Sequence, residues 1–341
     1  MPIKNKFKIH ILFEFKNGPW GGGNQFLRSL RSQFIKMGVY EKYISKADVV
    51  LFNSHHCLEQ VLKLKRKYKN KILVHRVDGP IFKIRNKDLE IDKIIYHFNN
   101  LFADGTIFQS NWSRQKNYSL GLKKNKFETT IINAPDNKIF NRRGKIKFSL
   151  KRKTRLIATS WSNNWRKGFR MYKYLDENLD FDKYEMTFIG NSPINFKNIK
   201  WIKPLPSEKI AKQLKRNDIF ITASQKDPCS NSLIEALHCY LPAVALNDGG
   251  HPEIVKNGGE MFGGKEDILK EINRVAQNYE QYQKAINLPS MKETAKRYYQ
   301  SAQRIFDAYQ KKSYIPKEIN LLQQSEIVLS ILYQKIKSKL L

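Results

Sequence analysis

Short apolar runs recur along the first half of the chain: "KIHILFE" (8–14), "DVVLFNS" (48–54), "KILVHRV" (71–77), "GTIFQS" (105–110) and "TTIINA" (129–134). Each ends in polar or small residues, and helix-length segments lie between them. In "NQFLRSLRSQFIKMG" (24–38), Phe26, Leu27, Leu30, Phe34 and Met37 keep a helical period. Runs that are apolar throughout, rather than alternating, are expected where both faces of a strand are covered, as in a parallel sheet wrapped by helices. Residues 141–153, "NRRGKIKFSLKRK", are charged and mostly polar, as in a linker. The pattern then restarts with "TRLIATS" (154–160), "YEMTFIG" (184–190), "IKWIKPL" (199–205), "DIFITAS" (218–224) and "PAVALND" (242–248), again with helical segments between.

This predicts an α/β chain of two doubly wound, Rossmann-like domains, residues 1–145 and 150–312, facing across a cleft. Ligands of such sheets bind outside the carboxyl ends of the strands. From about residue 265 onward the pattern is helical. The tail 313–341 is amphipathic, with Leu321, Val328, Leu332 and Ile336 on one stripe. A helix packing back across the domains is expected, with contact to an anionic membrane surface as the alternative. The opening "MPIKNKFKIHILFEF" has basic residues before an apolar run, but His10 and Glu14 interrupt it, so it reads as a first strand.

Composition adds a strong charge. The 341 residues carry 62 Lys and Arg against 31 Asp and Glu, a formal net charge of +31, and most of the excess lies in the first half. The clusters "KLKRKYKN" (63–70), "LKKNKF" (122–127) and "RRGKIKFSLKRK" (142–153) favour polyanionic partners, namely nucleic acid, anionic lipid or phosphorylated substrates. The abundance of Lys, Asn and Ile fits the codon bias of an AT-rich genome equally well. Three cysteines with no CxxC pair read as reduced thiols of a cytoplasmic protein. No run approaches the roughly 18–20 apolar residues that span a bilayer.

Three stretches carry chemistry. "NGPWGGGNQF" (17–26) lies between a strand and a helix, and successive glycines let backbone amides approach an anion at the helix start. It is not GxGxxG, which disfavours a nicotinamide enzyme. "TSWSNNWRKGF" (159–169) places Arg166 and Lys167 before Gly168, again from strand to helix, and these cations suit a diphosphate. In "KDPCSNSLIEALHCYLPAVALNDGG" (226–250), Asp227 and Glu235 are eight apart, about two helical turns, with Ser230, Asn231 and Ser232 at the expected first turn. Hydroxyl, amide and free N–H groups there cap a helix or hold a phosphate.

Together these stretches resemble family 4 of the retaining glycosyltransferases (glycosyl transferases group 1), whose hallmark is Glu-x7-Glu followed by a glycine turn, a strand and a GG-x-x-E-I-V segment. Here Asp227-x7-Glu235 is followed by "ALHCYLPAVALNDGG", "HPEIV" (251–255) and "NGGEMFG". Weaker echoes are the glycines 21–23, "LVHRVDGP" (73–80), "ADGTIFQS" (103–110), "INAPDNKIF" (132–140) and "RKGF" (166–169).

The resemblance implies a GT-B fold and a donor site for a nucleotide-diphosphate sugar. Glu235 would bind the ribose hydroxyls, Asp227 would stand by the transferred sugar, and Lys167 would balance the diphosphate. Gly21, Gly22 and Gly23 would meet the donor phosphates, and His75 matches a histidine near the donor sugar. No cofactor or metal is implied, and the acceptor would be a glycan, a lipid-linked molecule or another hydroxyl compound.

Two positions depart from the family pattern. The first hallmark acid is Asp rather than Glu. Ser160-Trp161 stands where the family usually has an arginine, whose charge role Arg166 could take. The expected activity is retaining hexosyl transfer from a UDP- or GDP-sugar. The alternatives are a nucleotide-sugar epimerase or hydrolase, a nucleic-acid glucosyltransferase, and a basic nucleic-acid- or membrane-binding protein that keeps only the fold.

Overall fold

The computed structural model describes residues 7–16, 22–86, 88–320, 322–323, 325–329 and 331–332. The chain forms two compact units.

The first unit is made of the residues up to Phe15, Leu27–Ile132, and the residues from Lys292 onward. Its elements run β1 (Ile9–Leu12), α1 (Gly22–Lys36, whose first turns group with the second unit), β2 (Val49–Asn53), α2 (Leu58–Lys67), β3 (Ile72–Val77), α3 (Ile81–Arg85), α4 (Leu89–Phe102), β4 (Gly105–Phe108), α5 (Asn111–Tyr118) and β5 (Phe127–Thr130). The strands form one parallel sheet in the order β1-β2-β3-β4-β5. β2 and β3 are buried at every position, as their uninterrupted apolar runs require. Phe52, Leu73, Phe98 and Phe102 pack on one side of the sheet. Burying each such side chain contributes about 1.5–3 kcal/mol.

The second unit, Lys16–Phe26 and Asn133–Met291, restarts the pattern. It holds β6 (Thr154–Ser160), a 3-10 turn (Trp165–Lys167), α6 (Phe169–Asn178), β7 (Tyr184–Gly190), β8 (Lys200–Ile202), α7 (Ser207–Arg216), β9 (Ile219–Thr222), α8 (Asn231–His238), β10 (Ala243–Leu246), α9 (His251–Val255), β11 (Gly259–Phe262), α10 (Ile268–Gln277) and α11 (Tyr279–Ala285). Its six parallel strands lie in the order β11-β10-β9-β6-β7-β8. Chain order therefore reverses between β6 and β9, and loops leaving their carboxyl ends diverge there to leave a crevice. Phe169, Tyr172 and Phe188 anchor the core beside the sheet.

Several expectations shift. The stretch 141–153 is not a free linker but is fastened to the second unit. Arg152 holds the fully buried Asp218 with two bonds of 2.6 and 2.9 Å, Ile146 N–H donates to Lys215 O, and Phe148 stacks on Tyr279. The chain passes from one unit to the other at 132/133. The expected strand 199–205 shortens to β8, because Pro204 and Pro206 lack the N–H that would continue a ladder. β11 comes from "GEMF", a run too short to stand out.

The basic cluster 63–70 forms the end of α2 and the turn beyond it, where Lys65 is buried with Nζ donating to Lys71 O. After α12 (Met291–Gln310), the tail packs on the first unit through Ile327, with Ile319, Val328 and Ile331 beside it. Leu332 is half exposed, while Leu321 and Ile336 lie outside the described residues. Among the described residues no helix is long and apolar enough to cross a membrane.

Candidate active site

Three loops leave the carboxyl ends of β6, β9 and β10 and meet at Asp227. The first loop carries Lys167. Its turn is held by Asn164, whose side chain accepts the Arg166 N–H, and by Ser160 Oγ, which donates to Ser162 O. Gly168 then adopts φ +95°, and a Cβ there would lie 2.4 Å from the Ala223 Cβ. A side chain at 168 would therefore hold the first loop away from the second.

The second loop, after β9, carries Ser224 and Asp227. It is tied to the first where Gln225 N–H donates to Arg166 O, at 2.7 Å. The third loop, "NDGG", closes beneath. Gly250 N–H donates to Asp227 O at 2.8 Å, and Asp248 accepts the amides of Lys226 and Gly249. Gly249 has φ +64°, and a Cβ there would fall 2.3 Å from Asp227 O.

The result is a fixed charge pair. Lys167 Nζ lies 3.0 Å from Asp227 Oδ2, Ser224 Oγ is 3.3 Å from each, and Cys229 N–H donates to Asp227 Oδ1. Burial works to raise the Asp227 carboxyl, but the Lys167 ammonium, His251 and the Cys229 amide together hold it below the usual carboxylate range. The His251 ring is wholly buried. Its Nδ1 meets Leu246 O at 2.9 Å, and its Nε2 has no hydrogen-bond partner among the described residues. Burial lowers the imidazole below its ordinary value, while the nearby Asp227 works the other way.

Ser230 caps α8 by position, with its Oγ against Ser232 Oγ at 3.2 Å and no side-chain cap on the first-turn amides. Those amides carry the positive end of the helix dipole. Asn231 and Glu235 follow at i and i+4, on one face of α8. Asn231 Oδ1 accepts from Asn133 Nδ2 at 3.0 Å. Gly22, the first residue of α1, is pressed on the same side chain, since a Cβ there would lie 2.0 Å from Asn231 Nδ2. Gly23 faces open space, and Gly21 lies outside the described residues. The Glu235 carboxyl is half-buried with no hydrogen-bond partner among the described residues, and burial raises it to about 8.

The structure thus gathers Lys167, Asp227, Ser230, Asn231, Ser232, Glu235 and Gly22 in the second unit. Arg166 joins through its backbone, which braces the loop. His75 belongs to the first unit. It is sealed in β3, stacked on Phe52 at 4.1 Å, with Nε2 against Ser54 O and Nδ1 against Asn99 Nδ2. Burial pushes it down to about 3, and both ring nitrogens are taken up by these contacts. The histidine lies in the strand interior while its motif runs past the carboxyl end of β3, and sequence spacing did not separate the two. Ser224, His251 and Asn133 belong to the site without having been singled out. Ser224 follows β9, His251 opens α9 and Asn133 lies beyond β5, so no single sequence signal marked them.

Comparison with known proteins agrees with this geometry. Residues 194–290 match the family model of glycosyl transferases group 1. A probable sucrose-phosphate synthase of Thermosipho melanesiensis is 24% identical over 123 residues, covering 36% of this chain. That stretch spans about a quarter (26%) of the relative's length. The fold is similar to that of Anabaena HepE, solved with UDP-glucose (TM-score 0.62, 13% identity, 90% of this chain and 100% of that one). It is also similar to a sucrose-phosphate synthase of Thermosynechococcus elongatus (TM-score 0.62, 12% identity, 98% and 100%). Residues 194–290 thus match the glycosyl transferases group 1 model, and the chain has the GT-B fold of these glycosyltransferases of known structure.

Proposed function

We propose that the protein moves a hexose from a nucleoside diphosphate sugar to an acceptor hydroxyl, with retained anomeric configuration and without a metal ion. The observation that carries this reading is the Lys167–Asp227 pair at the β6/β9 crevice, with the unpartnered Glu235 two turns away along α8. Donor diphosphate would take the Lys167 ammonium and the first-turn amides of α8, which neutralise the leaving group as charge develops. Glu235, with no donor among the described residues to satisfy it, suits the vicinal hydroxyls of a ribose. Asp227 would then accept hydroxyls of the transferred sugar near an oxocarbenium-like state. UDP-glucose in the complex of the similar Anabaena protein supports a uridine donor.

A thermal-shift and hydrolysis screen with UDP-, GDP- and ADP-sugars tests the reading. One donor should raise the melting temperature and turn over, and Glu235→Ala should abolish both responses. Salt-sensitive binding of DNA or anionic vesicles without any donor response would instead favour a basic binding protein that retains only the fold.

A further inference from the structure

Along the outer edge of the first unit's sheet a cavity of about 490 Å³ opens between β5 and α12, and none of the residues gathered at Asp227 lines it. β5 is the last strand of that sheet, so one side of its backbone has no neighbouring strand. Ile131 N–H donates to Phe108 O of β4, which leaves the N–H and C=O of the alternate residues, Glu128 and Thr130, on the open side. The Thr130 hydroxyl donates to Asn111 Oδ1 of α5 at 3.4 Å, so Thr129 points to the other face of the sheet. Phe127 shares that face and meets Tyr314, just past α12, edge-on at 5.1 Å.

α12 is fixed there by its buried stripe of Ala295, Tyr298, Ala302 and Ile305. Tyr298 OH accepts the Nε–H of Arg76 in β3 at 3.2 Å. A Cβ at Gly105 would lie 2.5 Å from Ile305 Cδ1, so the glycine lets the helix come close to β4. This packing turns Arg297 and Arg304 toward the cavity, which both line. They stand seven residues apart, two turns or about 10 Å along one face.

Both arginines are exposed, and neither forms an ion pair among the described residues. Arg76 and Arg152, by contrast, are each held by a carboxylate. Asp307 also lines the cavity, one turn beyond Arg304, but pairs with neither guanidinium. Gln300 and Ser301 lie between the two arginines and supply neutral donors. The guanidinium fork matches phosphate oxygens, and two forks about 10 Å apart along the helix suit an extended anion better than a single phosphate. The volume falls within the roughly 300–1,000 Å³ of small-molecule sites.

We propose that Arg297 and Arg304 form a binding site for an extended polyphosphate anion, separate from the donor site, with Gln300 as a neutral donor between them. Calorimetric titration of the full chain would use tripolyphosphate and orthophosphate as probes. An ionic strength of about 0.15 M screens long-range attraction to the +31 charge of the chain. Tripolyphosphate should bind at least about tenfold tighter than orthophosphate, because it engages both arginines at once. Arg297→Gln and Arg304→Gln alter exposed positions and leave the buried stripe intact. Each should weaken tripolyphosphate binding about tenfold, and the double variant further. A Lys209→Gln/Lys212→Gln variant removes the same charge from exposed positions of α7 and should retain the binding, as should Lys167→Gln.

Absence of tripolyphosphate binding, or binding unchanged in the double arginine variant, overturns the proposal. An equal loss in the α7 lysine variant would show attraction to net charge alone and overturns it too. Loss in Lys167→Gln with none in the arginine variants would put the anion at the donor site, with the same consequence.

Discussion

Lys167 Nζ sits 3.0 Å from Asp227 Oδ2, with Ser224 Oγ within 3.3 Å of both, so ammonium and carboxylate neutralise each other before any donor arrives. Asp227→Asn removes the acceptor and leaves Lys167 without its partner. The variant should lose about 10²-fold or more in kcat/KM. The structural contribution is smaller, about 1 kcal/mol, because Lys167 is 38% exposed and solvent screens it. Its pH dependence has a definite sign. The folded carboxyl lies below its ordinary value, so its stabilisation is present above pH ~4 and fades as pH falls through the lowered folded value. Melting curves of wild type and Asp227→Asn should converge on acidification. A constant gap down to pH 2.5 would contradict the pairing.

Glu235 titrates the other way. Burial raises its carboxyl to about 8, so the folded chain holds the proton while the unfolded chain releases it near pH ~4.3. Stability conferred by the wild-type residue is therefore lost as pH rises from about 4 to 8. Glu235→Gln removes that loss. Its melting temperature should match wild type near pH 4.5 and exceed it at pH 8 by about 2–4 °C for each kcal/mol relieved. Nucleotide binding should weaken in the same variant. Calorimetry across this range, paired with nucleotide titration, checks both halves. A variant less stable than wild type at pH 8 would show that the carboxylate is satisfied.

Gly168 separates backbone need from chemistry. Alanine there must hold φ near +95° and place its Cβ 2.4 Å from that of Ala223, so the loop must shift. A loss of about 1–3 kcal/mol is expected. Donor affinity should also fall, because Lys167 precedes the glycine and moves with it. Denaturant melts and nucleotide titration of Gly168→Ala measure the two effects. Wild-type nucleotide affinity in a destabilised variant would mean that Lys167 adjusts independently of this turn.

The strand pattern was legible because parallel strands covered on both faces need uninterrupted apolar runs, and ten such runs fall on or overlap ten of the eleven strands. Asp227, Lys167 and Glu235 were legible from their order and their resemblance to a known family. Gly249, Ser224 and His251 were not, because their roles come from loops that meet only after three strands are placed side by side. His75 shows the same limit of sequence spacing. Its motif spans the end of β3, which falls at Val77, so His75 lies two residues inside the strand and Asp78 just beyond it. Part of the charge at 141–153 is structural, because Arg152 pairs with the buried Asp218.

Gly22 and Gly23 look interchangeable in sequence and are not. A Cβ at 22 would meet Asn231 Nδ2 at 2.0 Å, whereas at 23 it would meet nothing within 4 Å. Gly22→Ala must rotate the Asn231 side chain, which breaks its bond from Asn133 Nδ2 and disturbs the α8 face that also carries Glu235. Gly23→Ala adds helix propensity in the first turn of α1, a gain of up to about 1 kcal/mol. Nucleotide affinity should therefore fall about tenfold in the first variant and stay at wild type in the second, which should also melt slightly higher. Parallel titrations decide it: equal behaviour of the two alanines would mean that Asn231 has no part in holding the donor.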